Sequence, residues 1–233
     1  MTKKGQVFER KLCKELSIWW SKGIRDDIFW RTAGSGARAT QRAKKGQETF
    51  LNYGDVTATH PIAKILIDKF VISLKRGYTG KKNTKNLNCL SLLDLIDKPE
   101  KLKTKPVLVQ WWEELQQDIK ISKANKQGLI VCRRDRRQSI IIMSRETFKH
   151  IEAKKPCIYP LYNSGCWLQA HGLNLQIMKL DNFFFWCQPE LLGAKYFIRK
   201  LGNKISKDWI EPGPFPNMAK EYYDALNKAI CIV

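Results

Sequence analysis

Between residues 6 and 21, apolar side chains return at Phe8, Leu12, Leu16 and Trp19. That spacing predicts a first helix with one buried stripe, flanked by Glu9 and Glu15. A glycine-bearing loop follows, Arg31-Thr32-Ala33-Gly34-Ser35-Gly36-Ala37-Arg38, and then the basic positions Arg42, Lys44 and Lys45. The period then shortens. Residues 54–59 read as a short strand entered through Gly54, and residues 69–75 as a second strand rich in β-branched and aromatic side chains. Residues 78–105 read as a polar excursion with a short helix predicted around 90–96. Helical spacing resumes at 107–119 through Trp111, Trp112, Leu115 and Ile119. Two apolar strands, 129–132 and 139–143, flank Arg133-Arg134-Asp135-Arg136-Arg137-Gln138, a hairpin with a basic tip. A helix at 145–153, an irregular stretch and a strand at 174–178 complete the core. Pro212, Pro214 and Pro216 precede an amphipathic helix at 218–230, an appended tail.

The order helix, two strands, helix, two strands, helix predicts an α/β or α+β fold, a mixed central sheet flanked by helices on both sides. The expected domains are a core over 1–190 with 78–105 inserted, and a C-terminal extension over 191–233.

Charge narrows the function. Forty-two Lys and Arg against twenty-two Asp and Glu give +20, which implies a polyanionic partner. A membrane surface would call for a basic amphipathic helix or a long apolar segment, and the sequence offers neither. The N-terminus lacks a signal peptide's apolar run, so the expected location is the cytoplasm, or the host cytoplasm for a viral protein. Seven cysteines without a C-x-x-C pair, and three histidines, argue against zinc, and buried free thiols are expected. The glycine-bearing loop lacks the terminal Gly-Lys-Ser/Thr of a phosphate loop, which argues against nucleotide hydrolysis.

Strand alternation places Val71, Ser73 and Lys75 on one face and Ile72 and Leu74 on the other. Asp55, opening the neighbouring strand, joins Ser73 and Lys75 if the two strands pair. Phosphodiester hydrolysis uses such a group: carboxylates hold Mg²⁺, and a lysine orients water or offsets transition-state charge. Glu9 on a first helix, Gly54-Asp55 opening a strand and Ser73-Leu74-Lys75 closing the next resemble the PD-(D/E)xK nuclease superfamily, restriction-endonuclease-like in fold, and in particular its small phage resolvase-like members. The Trp111-Trp112-Glu113-Glu114-Leu115-Gln116 helix and the strand ending in arginines are similar to the segment after that family's lysine. The likeness covers roughly residues 5–180.

The resemblance implies that Asp55 is a metal ligand, Leu74 a backbone-carbonyl ligand, Lys75 the catalytic lysine and Glu9 a support for an Mg²⁺ or Mn²⁺ site. It implies an endonuclease acting on DNA, including branched, Holliday-junction-like DNA in phage replication or recombination, and possible homodimers. One position departs: the family's Asp or Glu is Ser73, a poorer ligand for a hard cation. Glu9 or Glu48 is the candidate replacement. The alternative is an inactive nuclease fold that binds DNA or scaffolds an assembly, with the tail as a protein contact.

Ordinary roles stand beside these. Asp55 can be a turn aspartate, Lys75 a solvated strand end, and Glu9 an exposed helix carboxylate paired with Lys14. In the pairs Trp19-Trp20 and Trp111-Trp112 one member can face the core and the other the surface, within reach of base stacking. For the basic residues Arg31, Arg38, Arg42, Lys44, Lys45, Arg76, Arg133, Arg134, Arg136 and Arg137, the charge excess favours phosphate contact over a merely solvated face.

Overall fold

A computed structural model describes residues 3–32, 53–76, 105–122, 125–154 and 165–194, all within the unit Met1–Lys195. The helices expected at 90–96 and 218–230 lie outside the described residues. The first apolar stripe becomes helix α1, Lys3–Trp20. Phe8, Leu12 and Leu16 are buried, and the stripe ends on the fully enclosed Trp20, four residues on, rather than on Trp19. Trp19 packs beside it on Phe183 and Phe184. Ser17 Oγ donates to the Cys13 carbonyl at 2.8 Å and accepts from the Phe29 N–H at 3.0 Å, which ties the next element to the helix.

That element is strand β1, Phe29–Arg31, antiparallel to β2, Val56–Ala58, with Arg31 opposite Val56. Three residues are too short for alternation to reveal β1. Helix α2, Pro61–Lys69, was likewise not expected, although its cues are present. His60 caps it, Pro61 opens it, and Ala63, Leu66 and Ile67 turn inward.

Strand β3, Phe70–Arg76, leads to helix α3, Val107–Ile121, then strands β4, Gln127–Arg133, and β5, Ser139–Ser144. Helix α4, Arg145–Glu152, strands β6, Gly165–Ala170, and β7, Leu173–Lys179, and helix α5, Leu180–Trp186, follow. Strand β6 falls where an irregular stretch was expected, because as an edge strand it buries only Leu168 and shows no apolar alternation. Sheet order is β3-β4-β5-β7-β6, with β3 and β4 parallel and the other pairs antiparallel. The expected mixed sheet between helices is therefore present.

Alternation divides the core in two. Ile72, Leu74, Leu129, Val131, Ile141 and Met143 pack with α1, α2, α4 and α5. Val71, Ile130, Cys132 and Ile142 pack with α3 on the opposite face. Trp111 and Trp112 are 5% and 8% exposed, so both belong to this core and neither offers a ring for base stacking. Leu192 and Ala194, after the last helix, pack in the first cluster. Of the described cysteines, Cys13, Cys132 and Cys187 are buried thiols, while Cys166 on the edge strand is exposed, contrary to expectation. Among the described residues no helix is long and apolar enough to cross a membrane.

Candidate active site

The second strand of the small ribbon pairs with β1 and not with β3. The strand pairing that was to bring Asp55 to Ser73 is therefore absent, and Asp55 reaches β3 by itself. Gly54 adopts φ +82°, and a Cβ there would lie 2.6 Å from the Ile72 carbonyl oxygen, a position only glycine tolerates. This close approach lets the Asp55 N–H donate to the Ile72 carbonyl at 2.8 Å. The Asp55 Oδ2 accepts from the Leu74 N–H at 2.7 Å and from Ser73 Oγ at 3.5 Å. Asp55 thus docks on the edge of β3 that β4 leaves open. The partner bonds are eighteen and nineteen positions along the chain, so a local turn role does not describe this carboxylate.

A strand residue turns its N–H and C=O to the same edge, so the Leu74 carbonyl faces the Asp55 side, as the expected ligand role requires. Glu9 arrives from α1 and is 3% exposed, in contrast to an exposed helix carboxylate. Lys14 pairs instead with Asp26 at 2.8 Å. The Glu9 Oε2 has no hydrogen-bond partner, and the Arg31 Nη1 stands 3.6 Å away, beyond hydrogen-bond distance. Burial, then the negative charge of Asp55, holds the Glu9 carboxyl above the usual range, and Arg31 opposes both. The Cys13 thiol is pushed up to about 12 by burial and then by the charges of Glu9 and Asp55, with Arg31 opposing, so α1 and the segment that carries Asp55 converge here.

Lys75 lies on the α3 side of β3 and donates to the Glu114 Oε2 at 2.8 Å. One helical turn beyond Glu114 is Asp118, half-buried. Its carboxyl is raised by burial and then by Asp55, and lowered by Lys75. Glu114 was noted only as part of a helix motif, and Asp118 was not singled out at all. Their signal is the four-residue spacing on the helix that follows the lysine strand.

The basic candidates separate. Arg31 faces Glu9 inside the site rather than a solvated face. Arg76 pairs with Asp135 at 3.5 Å and lies over the Phe8 ring. The β3 and β4 ends meet with Arg76 opposite Arg133, whose Nε donates to the Arg137 carbonyl at 2.9 Å. Beyond them Arg134, Arg136 and Arg137 are exposed at the hairpin tip, adjoining the strand end that carries Lys75. Arg38, Arg42, Lys44, Lys45 and Glu48 lie outside the described residues.

Among the described residues no three His, Cys, Asp or Glu side chains stand close enough together to hold a metal ion. The donors still fit a hard cation that retains waters: two carboxylates, Asp55 and Glu9, and the Leu74 carbonyl, all oxygen. A buried carboxylate oxygen without a donor is what a bound cation would satisfy. No curated protein and no solved structure matches the chain. A family model does: residues 1–190 match the one described as phage putative PDDEXK endonuclease, with the Asp55 to Lys75 segment inside the match. The chain therefore belongs to the phage PD-(D/E)xK endonuclease family.

Proposed function

We propose that this protein is a divalent-metal-dependent DNA endonuclease. The observation that carries the reading is the docking of Asp55 on β3, its Oδ2 2.7 Å from the Leu74 N–H, with Lys75 next along that strand and the buried Glu9 behind it. Bound there, Mg²⁺ or Mn²⁺ supplies a Lewis acid for the phosphoryl oxygen and an activated water. Asp55, Glu9 and the Leu74 carbonyl would hold the cation. Lys75, 18% exposed at its side chain, exchanges Glu114 for the substrate and offsets charge on the phosphoryl oxygens. Arg134, Arg136 and Arg137 bind the backbone beside the site, without base readout. The substrate proposed is DNA, with four-way junctions the form that the family resemblance favours.

A second reading rests on Ser73, whose hydroxyl stands where the motif has an acid: a nuclease fold that binds DNA without cutting it. One assay separates the two. Labelled duplex, single-stranded and four-way-junction DNA are incubated with Mg²⁺ or Mn²⁺ beside Asp55→Ala and Lys75→Ala. The enzyme reading expects cleavage that falls on the order of a hundredfold or more in either variant, with binding retained. Salt-sensitive binding without metal-dependent cleavage by the wild type establishes the second reading.

A further inference from the structure

Ser73 leaves the motif one carboxylate short, and the geometry of α3 indicates where that carboxylate comes from. Helix α3 joins the parallel strands β3 and β4, so it runs back along the sheet. Two contacts fix its height against the strands. Glu114 meets Lys75 at 2.8 Å, near the end of β3. Leu115 and Ile119 close over Gly128, the residue opposite Val71 near the start of β3. Moving from Glu114 toward the helix C-terminus therefore descends the strand from Lys75 toward Val71. Asp118, one turn after Glu114 on the same helical face, thus lies from Glu114 toward the start of β3, on the side of the sheet that carries Ser73 and Lys75.

Resting on the nuclease reading above, we propose that Asp118 supplies the carboxylate missing at Ser73, completing with Asp55 a site for a divalent cation, while Glu114 positions Lys75 until substrate arrives. Burial first, and then the negative charge of Asp55, raise the Asp118 carboxyl, while Lys75 lowers it. On this proposal the motif's acid comes from the facing helix rather than from the strand.

The test is a calorimetric titration of the full chain with Mn²⁺ alone. Asp118→Asn is expected to weaken Mn²⁺ binding by at least ~10-fold, the loss that even an outer-shell ligand partner can cause. Ser73→Asp placed on Asp118→Asn is expected to restore it, which a merely misfolded variant cannot do. Wild-type affinity in Asp118→Asn, with Asp55→Asn abolishing binding, would overturn the Asp118 assignment and leave the metal site standing. No Mn²⁺ binding by the wild type overturns it as well. Mn²⁺ binding that depends on Asp118 in a protein that cuts none of the DNAs supports the assignment while the endonuclease reading fails.

Discussion

Gly54 shows how much of the site hangs on one residue. Its φ of +82° and the 2.6 Å that would separate a Cβ from the Ile72 carbonyl mean that alanine must both adopt a left-handed conformation and push β3 away. Gly54→Ala is expected to destabilise the fold by about 2 kcal/mol or more in urea denaturation. It should also abolish Mn²⁺ binding, because Asp55 leaves the edge of β3. A variant of wild-type stability would show that the approach at Gly54 is not required. The same scale separates what was legible from what was not. Asp55 and Lys75 were visible as residue types at a suggestive spacing. The 97% enclosure of Glu9 was not, because burial of a helix carboxylate depends on what packs over it.

At the level of elements, the β4–β5 hairpin combines charge with strain. Arg136 at its tip has φ +60°, a conformation that costs a non-glycine residue roughly 1 kcal/mol or more. Arg136→Gly relieves that strain and removes a cation at once. It is expected to raise stability by about 1 kcal/mol while weakening DNA binding, with the slope of log affinity against log salt falling by roughly 0.9 for the lost phosphate contact on a duplex. Unchanged affinity and slope would remove the tip from the DNA interface. Hairpin and basic tip were both legible from two apolar runs bracketing a short charged segment. Helix α2 went unread despite its His60 cap, because nine residues between two strands give the periodicity little length to assert itself.

For the molecule as a whole, the candidate site sets the carboxylates of Asp55 and Glu9 in a chain whose net charge is +20. Burial, and then the negative charge of Asp55, raise the carboxyls of Glu9 and Asp118 in the folded state. A carboxyl raised on folding favours the folded state fully below its unfolded pKa, and that contribution is lost as pH rises through the folded value. Metal-free protein is therefore expected to lose stability through these groups as pH rises from about 4, the unfolded range, past their raised values. Glu9→Gln should flatten that dependence and melt above the wild type at neutral pH. Mg²⁺ should restore wild-type stability, by about 2.7 kcal/mol at a hundredfold excess over its Kd, and should do far less for Glu9→Gln. Thermal melts over pH with and without Mg²⁺ check both, and identical profiles for wild type and variant would exclude Glu9 from the site.

By itself the sequence determined the type and order of most elements, the polyanion-seeking charge and the strand face shared by Ser73 and Lys75. These follow from local periodicity and composition, which are written residue by residue. Only the tertiary structure decided which carboxylates meet. Asp55 reaches Leu74 across the open edge of β3, Glu9 is sealed behind it by α1, and α3 sets Glu114 and Asp118 over the face of Lys75. Such meetings depend on how helices cross a sheet. Residues 19 and 39 positions apart become neighbours through packing that no short window of sequence contains.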